Sequence, residues 1–362
     1  RKHRIEATTD RMQKMCAQVS QVANKFRGTL IGALLGDCLG APFEGDSPVS
    51  KSLLTNYVTK LQVETGSVLQ IYSYTDDTAM TKSVAESLLE CKGFDAKDMA
   101  KRFTFEYEQQ PKRGYGANVV NVFSALKLTD FEDPFAPAKA QFKGLGSYGN
   151  GSAMRISPVA LFGYHMPFDL LCDLTKNCSL LTHTNRGGYN GAILQCLAIH
   201  QALHTNITDI NEEGKFNSKE FLNSLIDSMT KVEKDETSQP FTDKLLSMKK
   251  VIEEEKELGA LDIAYLFGHG VAAINSVPTA IYIFLRAQKP LQEYETDNVF
   301  VRTLYLSISV GGDTDTIASM ACSLTGALYG ATEIPEILIK RCKVNEEITK
   351  LADNLYATVM GK

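Results

Sequence analysis

The chain has 362 residues, 44% hydrophobic and 22% charged, which is ordinary for a globular protein with a sizeable core. Its formal net charge of -5 gives no general attraction to nucleic acid, so no direct DNA binding is expected and a polyanionic ligand needs a local site. No apolar run is long enough to cross a bilayer. The eight cysteines form no Cys-x-x-Cys pair, which favours reduced thiols in an intracellular protein.

The first strongly apolar segment carries a glycine at every fourth position, at Gly28, Gly32, Gly36 and Gly40. In a helix these positions form one ridge that lacks side chains. Each glycine costs about 0.5–1 kcal/mol relative to alanine. Four on one face therefore predict a buried core helix, including residues 29–39, with another backbone packed closely against the ridge.

Helical periodicity dominates the rest of the chain, and convincing alternating strands are missing. Residues 143–155 contain four glycines and predict an irregular loop, whereas the charge-rich residues 206–257 predict a surface helical insertion with a loop at 236–240. The other predicted helices follow residue 78 and cover 95–107, 118–126, 191–202 and 271–285. The sequence thus predicts one compact all-α domain at 26–362, preceded by an N-terminal extension at 1–25.

Two acidic clusters each open a predicted helix, Thr75-Asp76-Asp77-Thr78 and Asp313-Thr314-Asp315-Thr316. Helix capping explains either cluster alone. A cap needs only one side chain, however, and two carboxylates held near a core repel each other unless a cation lies between them. Oxygen ligands favour Mg²⁺, Mn²⁺ or Ca²⁺, and two facing carboxylate sets suit a two-metal site. Glu44 is a candidate third source of carboxylate, although alone it reads as an ordinary loop residue.

Four motifs occur in the order typical of one family. They are Gly-Ala-Leu-Leu-Gly-Asp at 32–37, Tyr-Thr-Asp-Asp-Thr at 74–78, Gly-Asn-Gly-Ser-Ala-Met-Arg at 149–155 and Gly-Gly-Asp-Thr-Asp-Thr at 311–316. From about residue 26 to residue 356, the chain resembles the ADP-ribosyl-acceptor hydrolases, or ADP-ribosylglycohydrolases. Residues 43–44, 113–116 and 141–150 make it most similar to the vertebrate type-3 branch, the ADP-ribosylserine and poly(ADP-ribose) hydrolases.

The resemblance implies a compact all-α fold with a dinuclear site for two Mg²⁺ ions, for which Mn²⁺ can substitute. The implied metal ligands are Glu44, Thr75, Asp76, Asp77, Asp313, Asp315 and Thr316, with catalytic roles for Glu44, Asp77 and Asp315. The implied substrate contacts are Gly114, Phe142, Gly146, Ser147, Tyr148, Gly149, Asn150, His183 and Val271.

Several of these contacts also make physical sense. Backbone N–H groups of a glycine-rich loop can cradle a diphosphate, and Phe142 and Tyr148 could sandwich adenine. Simpler interpretations stay open. Asn150 with the following glycine is a common turn, His183 alone reads as a structural histidine, and the two aromatic rings could be packed.

The resemblance implies hydrolysis of O-glycosidic ADP-ribose linkages in ADP-ribosylserine, poly(ADP-ribose) and O-acetyl-ADP-ribose. We expect an oxocarbenium-like transition state, with Glu44 or one of the aspartates activating water or protonating the leaving oxygen. The competing functions are those of an arginine-linked ADP-ribose hydrolase, a two-metal nucleotide pyrophosphatase and a non-catalytic ADP-ribose reader. The expected partners are ADP-ribose, poly(ADP-ribose) and ADP-ribosylated proteins, with no membrane. We expect a monomer in the nucleus and cytoplasm, with the mitochondrial matrix as a further compartment.

Overall fold

The computed structural model describes residues 2–45, 47–63, 69–206 and 216–361, with side chains from residue 21 onward. Over these residues the chain forms helices and turns, with two isolated β-bridges and no strand, which confirms the predicted all-α class. The helices are α1 (Lys2–Gly40), α2 (Lys51–Leu61), α3 (Asp76–Cys91), α4 (Ala96–Gln109), α5 (Ala117–Leu128), α6 (Ala136–Ala140), α7 (Ser157–Phe162), α8 (Phe168–Leu180), α9 (Arg186–His204), α10 (Ser218–Val232), α11 (Pro240–Glu253), α12 (Ala260–Phe267), α13 (Val277–Arg286), α14 (Val299–Ser309), α15 (Thr314–Tyr329), α16 (Glu336–Lys340) and α17 (Asn345–Met360). None of the described helices has the length and hydropathy of a membrane span.

The glycine ridge of α1 lies directly on the backbone of α15. A Cβ atom added at Gly36 would lie 2.2 Å from the carbonyl of Ala318, and one added at Gly32 would lie 2.3 Å from the Cys322 carbonyl oxygen. These distances confirm the predicted close backbone approach. Because Gly40 meets the first residues of α15, the two helices run antiparallel, and the C-terminal end of α1 lies beside the N-terminus of α15.

Helix α15 is the centre of the molecule, since every residue from Thr314 to Leu328 is buried. Helices α9, α13 and α14 pack against it, while α3, α7 and α17 pack against α1. Helices α13 and α14 are also buried along their whole length. The surrounding helices therefore fix the ends of α1 and α15, where both acidic clusters lie.

Two predicted elements need correction. The helix predicted over 271–285 begins only at Val277, because Pro278 favours the first turn of a helix and the chain before it is extended at Ala272. The insertion predicted over 206–257 contains the helical pair α10 and α11, whose apolar faces are buried in the core, so it is not only a surface element. Its loop lies before Pro240 as predicted, and residues 207–215 lie outside the described part.

Residues just before the predicted domain start already contact the domain. The buried Lys25 ammonium donates to the carbonyl oxygens of Ala202, Leu203 and Thr205 at 3.2, 3.0 and 2.6 Å. These carbonyls end α9, where a cation is favourable. Helix α1 runs through residue 25 without a break, so the boundary at residue 26 stays a sequence-based prediction.

Candidate active site

The N-termini of α3 and α15 converge on a cleft of about 290 Å³. Most of the predicted site residues line this cleft: Glu44, Asp76, Asp77, Gly114, Phe142, Ser147, Tyr148, Gly149, Asn150, His183, Val271, Asp313, Asp315 and Thr316. Two others do not form its wall. Thr75 lies behind it as a helix cap, and Gly146 packs against Thr184, whose Oγ1 atom would be 2.2 Å from an added Cβ.

The N-terminus of α3 is capped from two sources. The Thr75 hydroxyl accepts from the Asp77 N–H at 3.3 Å, as an ordinary N-cap does. The fully buried Asp37 carboxylate, from the end of α1, accepts from the Thr75 N–H at 3.0 Å and from the N–H and hydroxyl of Thr78 at 3.0 and 2.5 Å. Asp76 and Asp77 are therefore not needed as caps, and their carboxylates are available to bind a ligand or a cation.

Asp77 joins the two clusters. Its Oδ2 atom accepts from the hydroxyl of Thr316 on α15 at 3.1 Å. Its Oδ1 atom is buried, and no hydrogen-bond donor among the described residues reaches it. A buried carboxylate oxygen without a donor is costly, and a cation would satisfy it.

Asp313 precedes α15 but makes no capping hydrogen bond. Instead its Oδ2 atom accepts from Asn150 Nδ2 at 2.5 Å, and the same amide donates to Ser276 Oγ at 3.1 Å. The backbone N–H of Asp313 donates to the His269 carbonyl at 2.8 Å. The carboxylate is thus held in the cleft by neighbouring segments, and Asn150 is more than a turn residue.

Glu44 completes the acidic group from a short turn after α1. One oxygen from each of Glu44, Asp313 and Asp315 lies within 4.8 Å of the others. The N–H of Gly45 donates to the Gly312 carbonyl at 2.8 Å, which ties the Glu44 turn to the loop before α15. Gly45 and Gly312 have φ angles of +82° and +71°, which glycine adopts without strain.

Burial and the neighbouring negative charges disfavour the ionised form of these carboxyl groups. Burial, followed by the charges of Asp313 and Asp37, raises the pKa of Asp315 to about 9. Burial, followed by the charge of Asp37, raises the pKa of Asp76 to about 7. Burial and the Asp315 charge raise the pKa of Asp77 well above its usual range. A divalent cation among these groups would reverse the effect, since it favours the ionised form.

The oxygen ligands of the cleft suit hard cations such as Mg²⁺. So does the Asp77 Oδ1 atom, which receives no hydrogen bond from the described residues. Glu44, Asp313 and Asp315 already converge closely enough to share one ion. Asp76, Asp77 and Thr316 line the same cleft, so the residues present suit an acidic metal centre.

Two exposed aromatic rings also line the cleft. Phe142 and Tyr148 are 41% and 55% exposed, with ring centroids 6.0 Å apart and tilted by 37°. At that separation the rings contact each other, so a base entering between them would have to move them apart. Phe142 has a φ of +52°, a strained conformation for a residue with a side chain. Such strain is typical of ligand-binding segments, and packing alone does not explain the exposed rings.

The glycine-rich loop is anchored to the wall that contains Val271. The Asn150 N–H donates to the Val271 carbonyl at 2.8 Å, and the Ala273 N–H donates to the Tyr148 carbonyl at 3.1 Å. This antiparallel bridge holds the loop over the cleft. Its second segment includes Val271 and Ala273, which were predicted to lie in a helix. Val271 itself is 66% exposed at the rim.

Some residues in and behind the cleft were not predicted from the sequence, because their roles depend on distant contacts. Asp37 caps α3, and the first residues of α5, Ala117 to Val119, line the cleft with no side-chain cap. Arg155 and Thr182 line the cleft behind His183. Asp37 could have been singled out, because it is an acidic residue near the end of an apolar helix. No local pattern in the sequence marks Thr182.

Comparison with known proteins identifies the family of the chain. The profile described as ADP-ribosylglycohydrolase matches residues 18–362. The ADP-ribosylhydrolase ARH3 of Gallus gallus is 42% identical, covering 92% of each chain, and that of Homo sapiens is 40% identical, covering 92% of this chain and 93% of the relative. A solved "ADP-ribosylglycohydrolase-related protein complex" superposes with a TM-score of 0.63 at 21% identity, covering 94% of this chain and 100% of that one.

The family match over most of the chain makes the protein a hydrolase that acts on glycosyl bonds, and the cleft with the buried acidic residues is its candidate active site. The chain belongs to the ADP-ribosylglycohydrolase family, within the branch of the ARH3 proteins.

Proposed function

We propose that this protein hydrolyses O-glycosidic ADP-ribose linkages in a reaction that depends on two Mg²⁺ ions, with Mn²⁺ able to replace them. The proposed substrates are ADP-ribosylserine on proteins, poly(ADP-ribose) and O-acetyl-ADP-ribose, and the product is ADP-ribose. The observation that carries the proposal is the convergence of Glu44, Asp313 and Asp315 within 4.8 Å, beside the Asp77 oxygen that lacks a donor.

Carboxylate and hydroxyl side chains would hold the ions, namely those of Glu44, Thr75, Asp76, Asp77, Asp313, Asp315 and Thr316. When bound, the ions supply positive charge that orients the ribose hydroxyls and makes water a better nucleophile. Thr75 would take part through the hydroxyl lone pair that its cap hydrogen bond does not use. Asn150 holds the Asp313 carboxylate in place.

The remaining cleft residues would bind and orient the ADP-ribosyl group. Phe142 and Tyr148 offer exposed rings for the adenine. In the glycine-rich loop, the N–H groups of Gly146, Gly149 and Asn150 already donate within the protein. The N–H groups offered to the diphosphate are therefore those of Ser147 and Tyr148 and those at the uncapped start of α5. Gly114 lies close to Asp76, where a Cβ would be 3.2 Å from its Oδ1 atom, so glycine leaves this side open.

Glu44 is the candidate for proton transfer. It is exposed on the cleft wall, and partial burial together with the Asp313 charge raises the pKa of its carboxyl. A carboxyl group on the cleft wall can exchange a proton either with the attacking water or with the departing serine oxygen. Asp77 and Asp315 are held more rigidly, because both are buried.

Product analysis tests this proposal. A serine-ADP-ribosylated peptide is incubated with the protein alone, with EDTA, and with EDTA followed by excess Mg²⁺, and the products are identified by mass spectrometry. The proposal expects ADP-ribose and unmodified serine, lost with EDTA and restored by Mg²⁺. AMP with ribose phosphate left on the peptide would instead mean a pyrophosphatase.

Two controls distinguish serine-linkage hydrolysis from arginine-linkage hydrolysis and from binding without turnover. Faster release from an arginine-linked peptide than from the serine-linked one would indicate the arginine-specific activity. Tight ADP-ribose binding without turnover of any linkage, polymer included, would indicate a reader. The variant Glu44→Gln should retain ADP-ribose binding while losing turnover.

We further propose that the protein acts as a monomer in the nucleus and cytoplasm, and in the mitochondrial matrix, where ADP-ribosylated proteins arise during the DNA damage response. Light scattering of the purified protein and fractionation of cells expressing the tagged chain test these two points. Recovery in the secreted fraction would contradict the second.

A further inference from the structure

His183 lies at the floor of the cleft with one ring nitrogen facing inward and one facing the cleft. The ring is 7% exposed and its Nδ1 atom lies 2.7 Å from the Thr182 hydroxyl. The other nitrogen, Nε2, lies below the glycine-rich loop, where a Cβ added at Gly151 would be 3.2 Å away. No hydrogen bond to Nε2 comes from the described residues, so this nitrogen is left for a ligand in the cleft.

The Thr182 hydroxyl is held by a second partner. Arg155 Nη2 donates to Thr182 Oγ1 at 2.7 Å and to the Cys178 carbonyl at 3.3 Å, while Nη1 donates to the Gly151 carbonyl at 2.9 Å. Arg155 is 1% exposed, and its guanidinium stacks 4.7 Å above the Phe103 ring. A guanidinium can only donate hydrogen bonds, so the direction of its bond to Thr182 is fixed.

That direction fixes the next bond as well. Thr182 Oγ1 accepts from Arg155 and retains one hydrogen, and in the described part of the chain the only acceptor that hydrogen reaches is His183 Nδ1. If Nδ1 carried a proton instead, the hydroxyl hydrogen would be buried without an acceptor, which costs about 1–3 kcal/mol. Nδ1 is therefore the acceptor.

The ring stays neutral in this environment. Burial, with a smaller contribution from the Arg155 charge, lowers the pKa of His183 to about 3. A neutral imidazole with an unprotonated Nδ1 carries its hydrogen on Nε2.

We propose that Arg155 and Thr182 are positioning residues that hold His183 as the neutral tautomer protonated at Nε2, so that the ring donates one hydrogen bond to an oxygen of the bound ADP-ribosyl group. The chain runs from Arg155 through Thr182 to His183 and ends at the cleft. It requires no titration of the metal-binding carboxylates. The ligand half of this inference rests on the proposed function, whereas the tautomer does not.

The tautomer is read directly by NMR. Protein labelled with ¹⁵N-histidine, free of ADP-ribose, is examined by long-range ¹H–¹⁵N correlation from about pH 5.5 to about pH 8, the range in which an ordinary histidine titrates. His183→Gln identifies the signals. We expect an unprotonated Nδ1 and a protonated Nε2 throughout, and a protonated Nδ1 or a titrating ring would overturn the proposal.

Variants test the chain that sets the tautomer. Thr182→Val removes the hydroxyl with little change of shape, and we expect the fixed tautomer to be lost and the ADP-ribose affinity to fall about tenfold, as for one lost hydrogen bond. Thr182→Ser should restore both. Thr175→Val is the matched control, because Thr175 is equally buried on α8 and its hydroxyl donates to the Leu171 carbonyl at 2.8 Å.

The two proposals fail in different ways. An unchanged tautomer and affinity in Thr182→Val would overturn the positioning role, even if ADP-ribose is hydrolysed. A wild-type protein with the expected tautomer but no affinity for ADP-ribose would refute the proposed function and the ligand half of this inference. If Thr182→Val does not fold, the wild-type spectrum still decides the tautomer.

Discussion

Helices α3 and α15 begin with similar acidic clusters but use them differently. In the first cluster Thr75 caps the helix with help from Asp37, whereas in the second Asp313 makes no cap and binds Asn150. Both clusters anchor a threonine to the end of α1, since Thr78 donates to Asp37 and Thr314 donates to the Gly40 carbonyl at 3.0 Å. Similar acidic clusters therefore play different parts at the two helix ends. In the first a residue of the cluster caps the helix, whereas in the second the first carboxylate is held in the cleft by a side chain from another segment.

The largest expected effect is on turnover when the second cluster is changed. Asp315→Asn should lower kcat by about a thousandfold or more, the scale of losing electrostatic stabilisation in an active site. The same change should raise the melting temperature in EDTA, because it removes a carboxyl whose pKa burial raises to about 9. Steady-state kinetics measures the change in kcat, and thermal unfolding in EDTA measures the change in melting temperature, on the same preparation. A fall in stability in EDTA would contradict the picture of repelling carboxylates.

The next effect concerns the contact that brings the clusters together. Gly36→Ala would place a Cβ 2.2 Å from the Ala318 carbonyl, so we expect destabilisation by about 3 kcal/mol, the upper end for overpacking. Gly93→Ala is the matched control, because nothing lies within 4 Å of its added Cβ. Urea unfolding measures both variants. Equal free energies of unfolding would contradict the close packing of α1 on α15.

Removing the remote cap should have an intermediate effect. Asp37 Oδ2 accepts from the N–H groups of Thr75 and Thr78 and from the Thr78 hydroxyl, whereas Oδ1 accepts only from the Thr75 N–H. Asp37→Asn replaces one of these oxygens with an NH₂ group, which even at the Oδ1 position faces the Thr75 N–H. We expect a loss of about 2–3 kcal/mol in stability together with weaker Mg²⁺ binding. For comparison, Asp95→Ala removes the local cap of α4, where Asp95 accepts from the Asp98 N–H at 2.7 Å. It should cost about 1 kcal/mol and leave Mg²⁺ affinity unchanged.

The last expected effect is a pH dependence of stability. A carboxyl whose pKa is raised on folding makes the folded state bind more protons than the unfolded state, so stability falls as pH rises towards the folded pKa. The pH window of this loss runs from about pH 4 to about pH 7 for Asp76. For Asp315 it runs from about pH 4 to about pH 9. In EDTA the melting temperature should fall across it, and the increase caused by Mg²⁺ should grow. A Mg²⁺ effect that is constant with pH would contradict the prediction.

Local patterns in the sequence predicted much of the fold. The four-residue glycine period predicted a backbone contact, since only a helix places such positions on one ridge. The clusters were predicted to open helices, and α3 and α15 begin at Asp76 and Thr314. The predicted start of the helix at Val271 was wrong, because apolar composition alone does not distinguish a buried helix from the extended wall of a cleft.

The long-range parts of the site could not be predicted in this way. Asp37 caps a helix that starts about forty residues later, and Arg155 reaches His183 through Thr182. Such contacts depend on how helices pack, which spacing along the chain does not encode. The resemblance to a family supplied the cleft residues, but it did not reveal which side chains hold them in place.

The most direct test of the account is a calorimetric titration of the metal-free protein with Mg²⁺, because the central claim is that both clusters form one metal centre. We predict two ions per wild-type chain, and a loss of affinity or of stoichiometry in both Asp77→Ala and Asp315→Ala. Each variant should then lose hydrolysis of the serine-linked peptide in parallel. Absence of Mg²⁺ binding to the wild type, or binding and turnover that survive either substitution, would contradict the account.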